Sequence, residues 1–235
     1  PRFTIAFGTT EGETILAINN ARPPFDDLRV RRAISHAINR QDLIDGVGQG
    51  YGTPIGSHFA PHNKAYVDLT DRYSFDPERA RTLLAEAGHP GGIDASLKLP
   101  PVVYARRGGE IVAAQLKAVG IRAKIENVEW AQWLDQVFGR GDFDLTIVSH
   151  TEPNDIGIYA RDDYYFHYAK PAFKSLMHDL ARAPSEEVRT RIIKDAQRML
   201  ADDAVNAFLY QLPKIGVWNS DLQGQWTNSP VQAND

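Results

Sequence analysis

Apolar positions recur along the chain at two spacings, and the switches between them divide it into elements. ETILAIN (13–19) carries aliphatic residues almost without polar interruption, which predicts a short buried strand. ARPPFDD ends it, because Pro23 has no N–H to donate and Pro24 pushes its predecessor toward extended geometry. Asp26 or Asp27 then stands ready to cap LRVRRAISHAI. There Val30, Ala33, Ile34, Ala37 and Ile38 follow helical spacing and leave Arg29, Arg32 and Ser35 on the other face. Asn39 is placed to cap a second short helix, RQDLIDGV.

A loop rich in glycine follows, running to about Tyr73. Then SFDPERARTLLAEAGHPGG predicts a helix with Asp76 as N-cap, Pro77 at the first helical position and Gly88 just past the end. Ala80, Leu83, Leu84 and Ala87 form its buried stripe. A strand near 95–103, a helix near 109–119 and a strand near 121–128 make a βαβ unit with parallel strands. A helix carrying Trp130, Trp133, Leu134, Val137 and Phe138 comes next, and a buried strand near 143–149. Ile111, Leu116, Trp133, Leu134 and Val137 are expected in the core, and core is favoured for Trp130 as well.

Residues 150–170 show no period and are rich in aromatics, which predicts a long loop. Two amphipathic helices near 171–183 and 185–202 follow, the second capped by Ser185, and AVNAFLYQLPKIGVWN reads as a returning strand. Alternating strands and helices make this an α/β lobe, with a mixed, mostly parallel sheet flanked by helices.

Composition narrows the function classes. The 235 residues are 43% hydrophobic and 24% charged with a net charge of −4, so nucleic acid is not expected as a partner. The chain has no cysteine, which removes disulfides and thiolate chemistry. No run approaches the roughly 18 apolar residues of a spanning helix, and no signal peptide is visible in the opening PRFTIAFGTTEG.

Candidate chemistry is sparse. The glycine-rich GVGQGYGTPIG lacks the following helix that a phosphate cradle needs. His58 and His62 are read as two exposed histidines in preference to a loop metal site, and His36 as a packed or surface residue. Asp142 and Asp144 flank a strand start and are expected to face solvent. No GxSxG, HExxH or Walker motif occurs, and nothing assembles a nucleophile, base and orienter, so no enzyme, cofactor or resident metal is expected.

PPFDDLRVRRAISHAINRQDLI resembles a segment of the extracytoplasmic solute-binding proteins of ABC importers, in the peptide/nickel-binding family (family 5). Three further blocks agree in order: YSFDPERARTLLAEAGHPGG, GGEIVAAQLKAVGIRAKIENVEWAQWLDQVFGRGDFDLTIVS and AVNAFLYQLPKIGVWNSDLQG. The resemblance implies a periplasmic-binding-protein-like (type II) fold of two lobes enclosing a ligand. Residues 1–20 would be a hinge-crossing strand with a remnant of the first lobe, 21–204 the second lobe, and 205–235 the returning strand with a tail belonging to the first lobe.

The resemblance also places the ligand at the end of the strand DFDLTIVS. Peptide-binding relatives often carry a tryptophan and an aspartate there, the aspartate holding a ligand ammonium. Here His150 stands at the tryptophan's place and Glu152 and Asp155 are the nearest acids, which leaves the ligand class open. The expected ligand residues are His150, Glu152, Asn154, Asp155, Tyr159, Tyr164, Tyr165 and Tyr168, with Asn19 and Asn20 near the hinge as lesser candidates. The tyrosines suit either stacking walls or core packing under the loop. The implied function is capture of a peptide-like or other small solute outside the cytoplasm and delivery to ABC permease subunits, with a missing N-terminal lobe as the other half of the cleft. A ligand-sensing domain of a transcription regulator is the alternative.

Overall fold

The computed structural model describes residues 2–152 and 154–231. Its centre is a six-stranded mixed sheet in the order β2-β6-β1-β5-β3-β4. The strands are β1 (Phe3–Ile18), β2 (Thr53–Pro54), β3 (Ile93–Leu99), β4 (Ile121–Asn127), β5 (Leu145–His150) and β6 (Asn206–Asn219). β3 pairs parallel with β4, as the βαβ pattern predicts, and also with β5. β1 pairs antiparallel with β5 and β6, and β2 with β6. Parallel pairing is therefore confined to one half of the sheet. With three of its five pairings antiparallel, the sheet is mixed but not, as was expected, mostly parallel.

The helices are α1 (Leu28–Ala37), α2 (Arg40–Gly48), α3 (Pro77–Glu86), α4 (Val103–Ala118), α5 (Trp130–Trp133), α6 (Pro171–Ala181) and α7 (Glu186–Asp202). Their starts follow from local chemistry. Asp27 accepts from the Arg29 N–H, Asn39 from Gln41 and Asp42, Asp76 from Arg79 and Ser185 from Val188, each satisfying N–H groups that a helix leaves unpaired. Gly88 ends α3 at φ 90°, a conformation that costs glycine little.

α4 starts six residues before the predicted 109. Pro100 and Pro101 stop the strand, and Gly108 and Gly109 lie inside the helix and not at its start. A Cβ on Gly109 would stand 2.3 Å from the Leu99 side chain, so glycine permits close packing of helix on strand.

Both faces of the sheet are covered. On one, Leu16, Ile18, Leu97, Leu145, Ile147 and Leu209 pack with Val30, Ile34, Leu83, Leu84, Val112 and Leu116 of α1, α3 and α4. On the other, Ile15, Ala17, Val148 and Phe208 meet Trp133, Val137, Phe143, Tyr159, Tyr165, Phe166, Phe173 and Leu200. Consecutive residues of β1 thus serve opposite faces, the period-two alternation of a strand buried on both sides. β1 and the first half of β6 are central strands of this sheet.

Four expectations about exposure are corrected. Ser35 is buried in α1 and donates back to the Arg31 carbonyl. Arg31 is also buried, and its guanidinium donates to the carbonyls of Phe25, Asp26 and Asp203, stitching the loop before α1 to the end of α7. Asp144 is largely buried and accepts from the Ser96 N–H and hydroxyl at 2.7 and 2.8 Å, tying β5 to β3. Leu134 and Trp130 are exposed, at 55% and 41%, whereas Trp133 and Val137 are buried as expected. Trp130 and Leu134 lie one turn apart on the outer face and Trp133 and Val137 one turn apart on the inner one, so the apolar stripe is narrower than the run of apolar residues. α5 then continues as a π-turn over Leu134–Gly139.

Candidate functional site

The register of the sheet brings the site together. Glu13 of β1 pairs directly with His150, the last residue of β5, so both start from neighbouring positions on adjacent strands. Beyond His150 the chain leaves the sheet, passes Glu152, and makes a 3-10 turn over Ile156–Ala160 that turns Asp155 back toward the strand ends. A depression of about 430 Å³ opens at this point. Trp133, Leu134, Phe138, Tyr164 and Tyr165 form its apolar side, and Ser149, His150, Thr151, Glu152, Asp155 and Arg161 supply polar groups. Side chains converge here without interrupting a ladder, because strand ends in α/β sheets leave such crevices.

The walls are preorganised by packing. Trp133 donates its indole N–H to Thr146 Oγ1 at 2.9 Å, and its ring meets Tyr165 edge-on at 5.7 Å. His150 lies parallel to the Tyr165 ring, with Nε2 3.0 Å from the Tyr165 hydroxyl. Arg161 forks onto Asp163 and lies over the Tyr164 ring at 5.3 Å.

Behind the depression is a buried ionic cluster. His58, in the loop after β2, is 1% exposed and lies between two carboxylates. Its Nδ1 is 2.7 Å from Glu13 Oε1 and its Nε2 is 2.8 Å from Asp155 Oδ1. Burial alone would push the imidazole down, but Glu13 and Asp155 together reverse this and raise it to about 10. Asp155 is likewise pulled well below the usual carboxylate range: burial opposes ionisation, but the hydrogen bond with His58 and the proximity of both His150 and His58 outweigh it. The other oxygen of Glu13 accepts from the Phe59 N–H at 2.7 Å. Asp155 Oδ2 faces His150 Nδ1 at 3.7 Å, beyond hydrogen-bond range, on the side that lines the depression.

The residues expected from sequence therefore divide. His150, Glu152, Asp155, Tyr164 and Tyr165 line the depression. Tyr164 and Tyr165 are at the same time buried, so they serve as wall and core together. Asn154 is exposed and does not line it. Three assignments are revised. Tyr159 is buried, with its hydroxyl accepting from Asn206. Tyr168 donates to Asp203 Oδ2 at 2.5 Å and anchors the end of α7. Asn20 directs its amide N–H groups to the carbonyls of Ile18, Phe166 and Val205. The lesser candidate Asn19 similarly donates to Gly141 and Phe143. All four brace the lobe.

Sequence reading missed Glu13 and His58, and its picture of two exposed histidines is corrected: His62 is exposed and meets Glu11, while His58 is enclosed. A signal for Glu13 existed, since an acid inside an apolar strand must find a buried partner. The partner was hidden, because His58 stands in an irregular loop and 97 positions from Asp155. Leu134 and Phe138, assigned to the core helix, are wall residues on the same outer edge as Trp130.

Comparison with known proteins sets this geometry in a family. A family model described as bacterial extracellular solute-binding proteins, family 5, middle region, matches residues 1–167. The chain is 27% identical over 207 residues to the heme-binding protein A of Haemophilus influenzae, covering 80% of this chain and 37% of that protein. It is 28% identical over 205 residues to the dipeptide-binding protein of Escherichia coli, covering 80% and 38%. It thus spans less than two fifths of the length of these curated relatives. Among solved structures, the periplasmic binding protein DppA of Helicobacter pylori, in complex with the peptide STSA, superposes with a TM-score of 0.87 at 22% identity, covering 97% of this chain and 47% of that one. The oligopeptide-binding protein AppA of Bacillus subtilis, in complex with a nonapeptide, gives 0.86 at 21% identity over 98% and 50%. These superpositions establish a shared periplasmic-binding-protein fold, and with the family match over most of its length the chain belongs to family 5 of the bacterial extracellular solute-binding proteins.

Proposed function

We propose that this chain is one lobe of an extracytoplasmic solute-binding protein that captures a peptide-like solute and delivers it to the permease of an ABC importer. The observation that carries the reading is the depression at the end of β5, where aromatic walls meet a cluster of acids. Aromatic faces accommodate apolar side chains of varied shape, and an ionised carboxylate holds an ammonium by charge-assisted hydrogen bonds. Glu13, Asp155 and Glu152 outnumber the His58 cation, and Arg161 at the depression is paired with Asp163, so the site favours a ligand with a positive amino terminus. The names of the relatives, which include dipeptide-, glutathione- and heme-binding proteins, are consistent with a small-solute cleft.

A second lobe of the same polypeptide would close the cleft from the other side. Support comes from the outer half of the β1–β6 ribbon, where Phe3, Ile5, Phe7, Ile215 and Val217 are exposed together. Apolar side chains exposed together in this way mark a surface made to be covered. With only one lobe, much of the ligand surface stays wet, so this chain alone should bind weakly.

The test is calorimetry on the complete two-lobed polypeptide with the dipeptide Ala-Phe and its N-acetylated form. Tight binding of the free amine and at least tenfold weaker binding of the acetylated peptide is the expected result. Equal affinity for the two, or tight stoichiometric binding to this lobe alone, would refute the reading.

A further inference from the structure

His58 is the only fully buried histidine among the described residues, and it touches no part of the depression's surface. Both its ring nitrogens face carboxylate oxygens, at 2.7 and 2.8 Å. An ionised carboxylate only accepts, and a neutral imidazole has only one N–H. A neutral His58 would therefore set a lone pair against one of the two acids in a site buried from bulk solvent. The geometry calls for an imidazolium, and the triad Glu13–His58–Asp155 then retains one net negative charge.

The three segments joined here are far apart in sequence: β1, the loop after β2, and the loop after β5. The backbone is strained to make the joint. Phe59 adopts φ 98°, which is unfavourable for a bulky L residue, and its N–H reaches Glu13 Oε2. The groups facing the His58 ring are Glu13 from β1, Asp155 from the loop, and the Tyr159 hydroxyl at 3.4 Å, with His150 reached through Asp155. With Oδ1 held by His58, Asp155 has Oδ2 on the side of the depression, where its neighbour is His150 Nδ1 at 3.7 Å, beyond hydrogen-bond range.

We propose that His58 is a positioning residue for ligand capture: an imidazolium that clamps the ligand loop to β1 and holds Asp155 with one oxygen free to receive a ligand ammonium. The proposal rests on reading the depression as the ligand half-site. It assigns His58 no contact with ligand. Its role is to fix where one negative charge is presented, and so to set the preference for free amines over blocked ones.

The experiment has two readouts. In this chain, nitrogen NMR of the histidine rings should show both His58 nitrogens protonated at pH 8, and a neutral tautomer there would overturn the proposal. In the complete polypeptide, His58→Gln should still melt cooperatively but lose the preference for Ala-Phe over N-acetyl-Ala-Phe, its ratio falling from at least tenfold to near one. A purely structural role would weaken both peptides alike and keep the ratio, which overturns the proposal while the ligand site stands. A parent protein without any preference would instead overturn the reading of the depression, and the proposal with it. If His58→Gln does not fold, Glu13→Gln/His58→Gln removes the orphaned carboxylate while keeping an acceptor for the Phe59 N–H. The same ratio is then read on that variant: a fall to near one supports the positioning role, and an unchanged ratio overturns it.

Discussion

The two faces of the central sheet solve the same burial problem with different chemistry. The face under α1, α3 and α4 is almost wholly aliphatic, and Leu16, Val30, Ile34, Leu97 and Leu116 bury no polar atom beyond the backbone. The opposite face is aromatic and holds ionised groups: Tyr159, Tyr164 and Tyr165 surround Glu13, His58 and Asp155. An aliphatic layer contributes stability in proportion to the area removed from water. A buried ion triad adds little net stability, since desolvation offsets attraction, but it fixes positions. One face stabilises the lobe, and the other gives up part of that stability to hold a site in shape.

The sharpest way to break this contrast is to truncate the aliphatic face. Leu16→Ala removes a fully buried side chain from the strand centre and should cost about 2–5 kcal/mol of stability. Urea titration measures it. In variant molecules that remain folded, affinity for Ala-Phe should be that of the parent. A specific loss of affinity at full stability would mean that the two faces are not separable.

The converse change is made on the aromatic face. His150→Ala removes a side chain that lines the depression, and in the complete polypeptide it should weaken Ala-Phe binding by about 2 kcal/mol, near thirtyfold. Arg29→Ala is the control: its guanidinium pairs with Asp27 and caps the Glu86 carbonyl on the outside of α1, and neither affinity nor melting should change measurably. Tyr165 is unsuitable for truncation to alanine, because it is 1% exposed and its loss would report on folding.

How far the sequence disclosed this division follows the range of the forces involved. α1, α2, α3 and α7 were legible because their caps and apolar stripes act within a few residues, and Asp27, Asn39, Asp76 and Ser185 bond as their positions suggested. The strand ends near 150 were legible because loss of period and a run of aromatics are also local. The ion triad was not, since Glu13, His58 and Asp155 meet only through the sheet register and a strained loop. Asn20, Tyr159 and Tyr168 went astray for a related reason: a polar atom expected to face ligand is as easily used on a neighbouring carbonyl, carboxylate or amide.

Stability against pH distinguishes the faces without mutation. His58 is raised in the fold from 6.5 to about 10, so its contribution is fully present below 6.5 and declines as pH rises toward 10. The slope should not exceed about 1.4 kcal/mol per pH unit. Asp155 is lowered, so its contribution is present above its ordinary 3.8 and lost as pH falls through its depressed value. Chemical denaturation of this chain should therefore show greatest stability from this cluster between about pH 4 and 6.5. His58→Gln should flatten the alkaline limb. An alkaline limb identical in parent and variant would place the titrating group elsewhere.

The smallest expected effect lies within a single turn. Leu134 and Val137 both belong to the apolar stripe read from sequence, but within the turn over Leu134–Gly139 they lie in different environments. Val137 is fully buried on the aromatic face, so Val137→Ala should cost about 2 kcal/mol of stability. Leu134 is 55% exposed on the wall of the depression, so Leu134→Ala should change stability by less than about 1 kcal/mol. In the complete polypeptide the same change should weaken Ala-Phe binding several-fold, because a half-exposed wall residue becomes covered only when ligand arrives. A Leu134 packed inward would instead cost as much stability on truncation as Val137. Paired melts and titrations of the two variants decide between these placements. A loss of stability at Leu134 without a loss of affinity would return it to the core and remove one wall from the site.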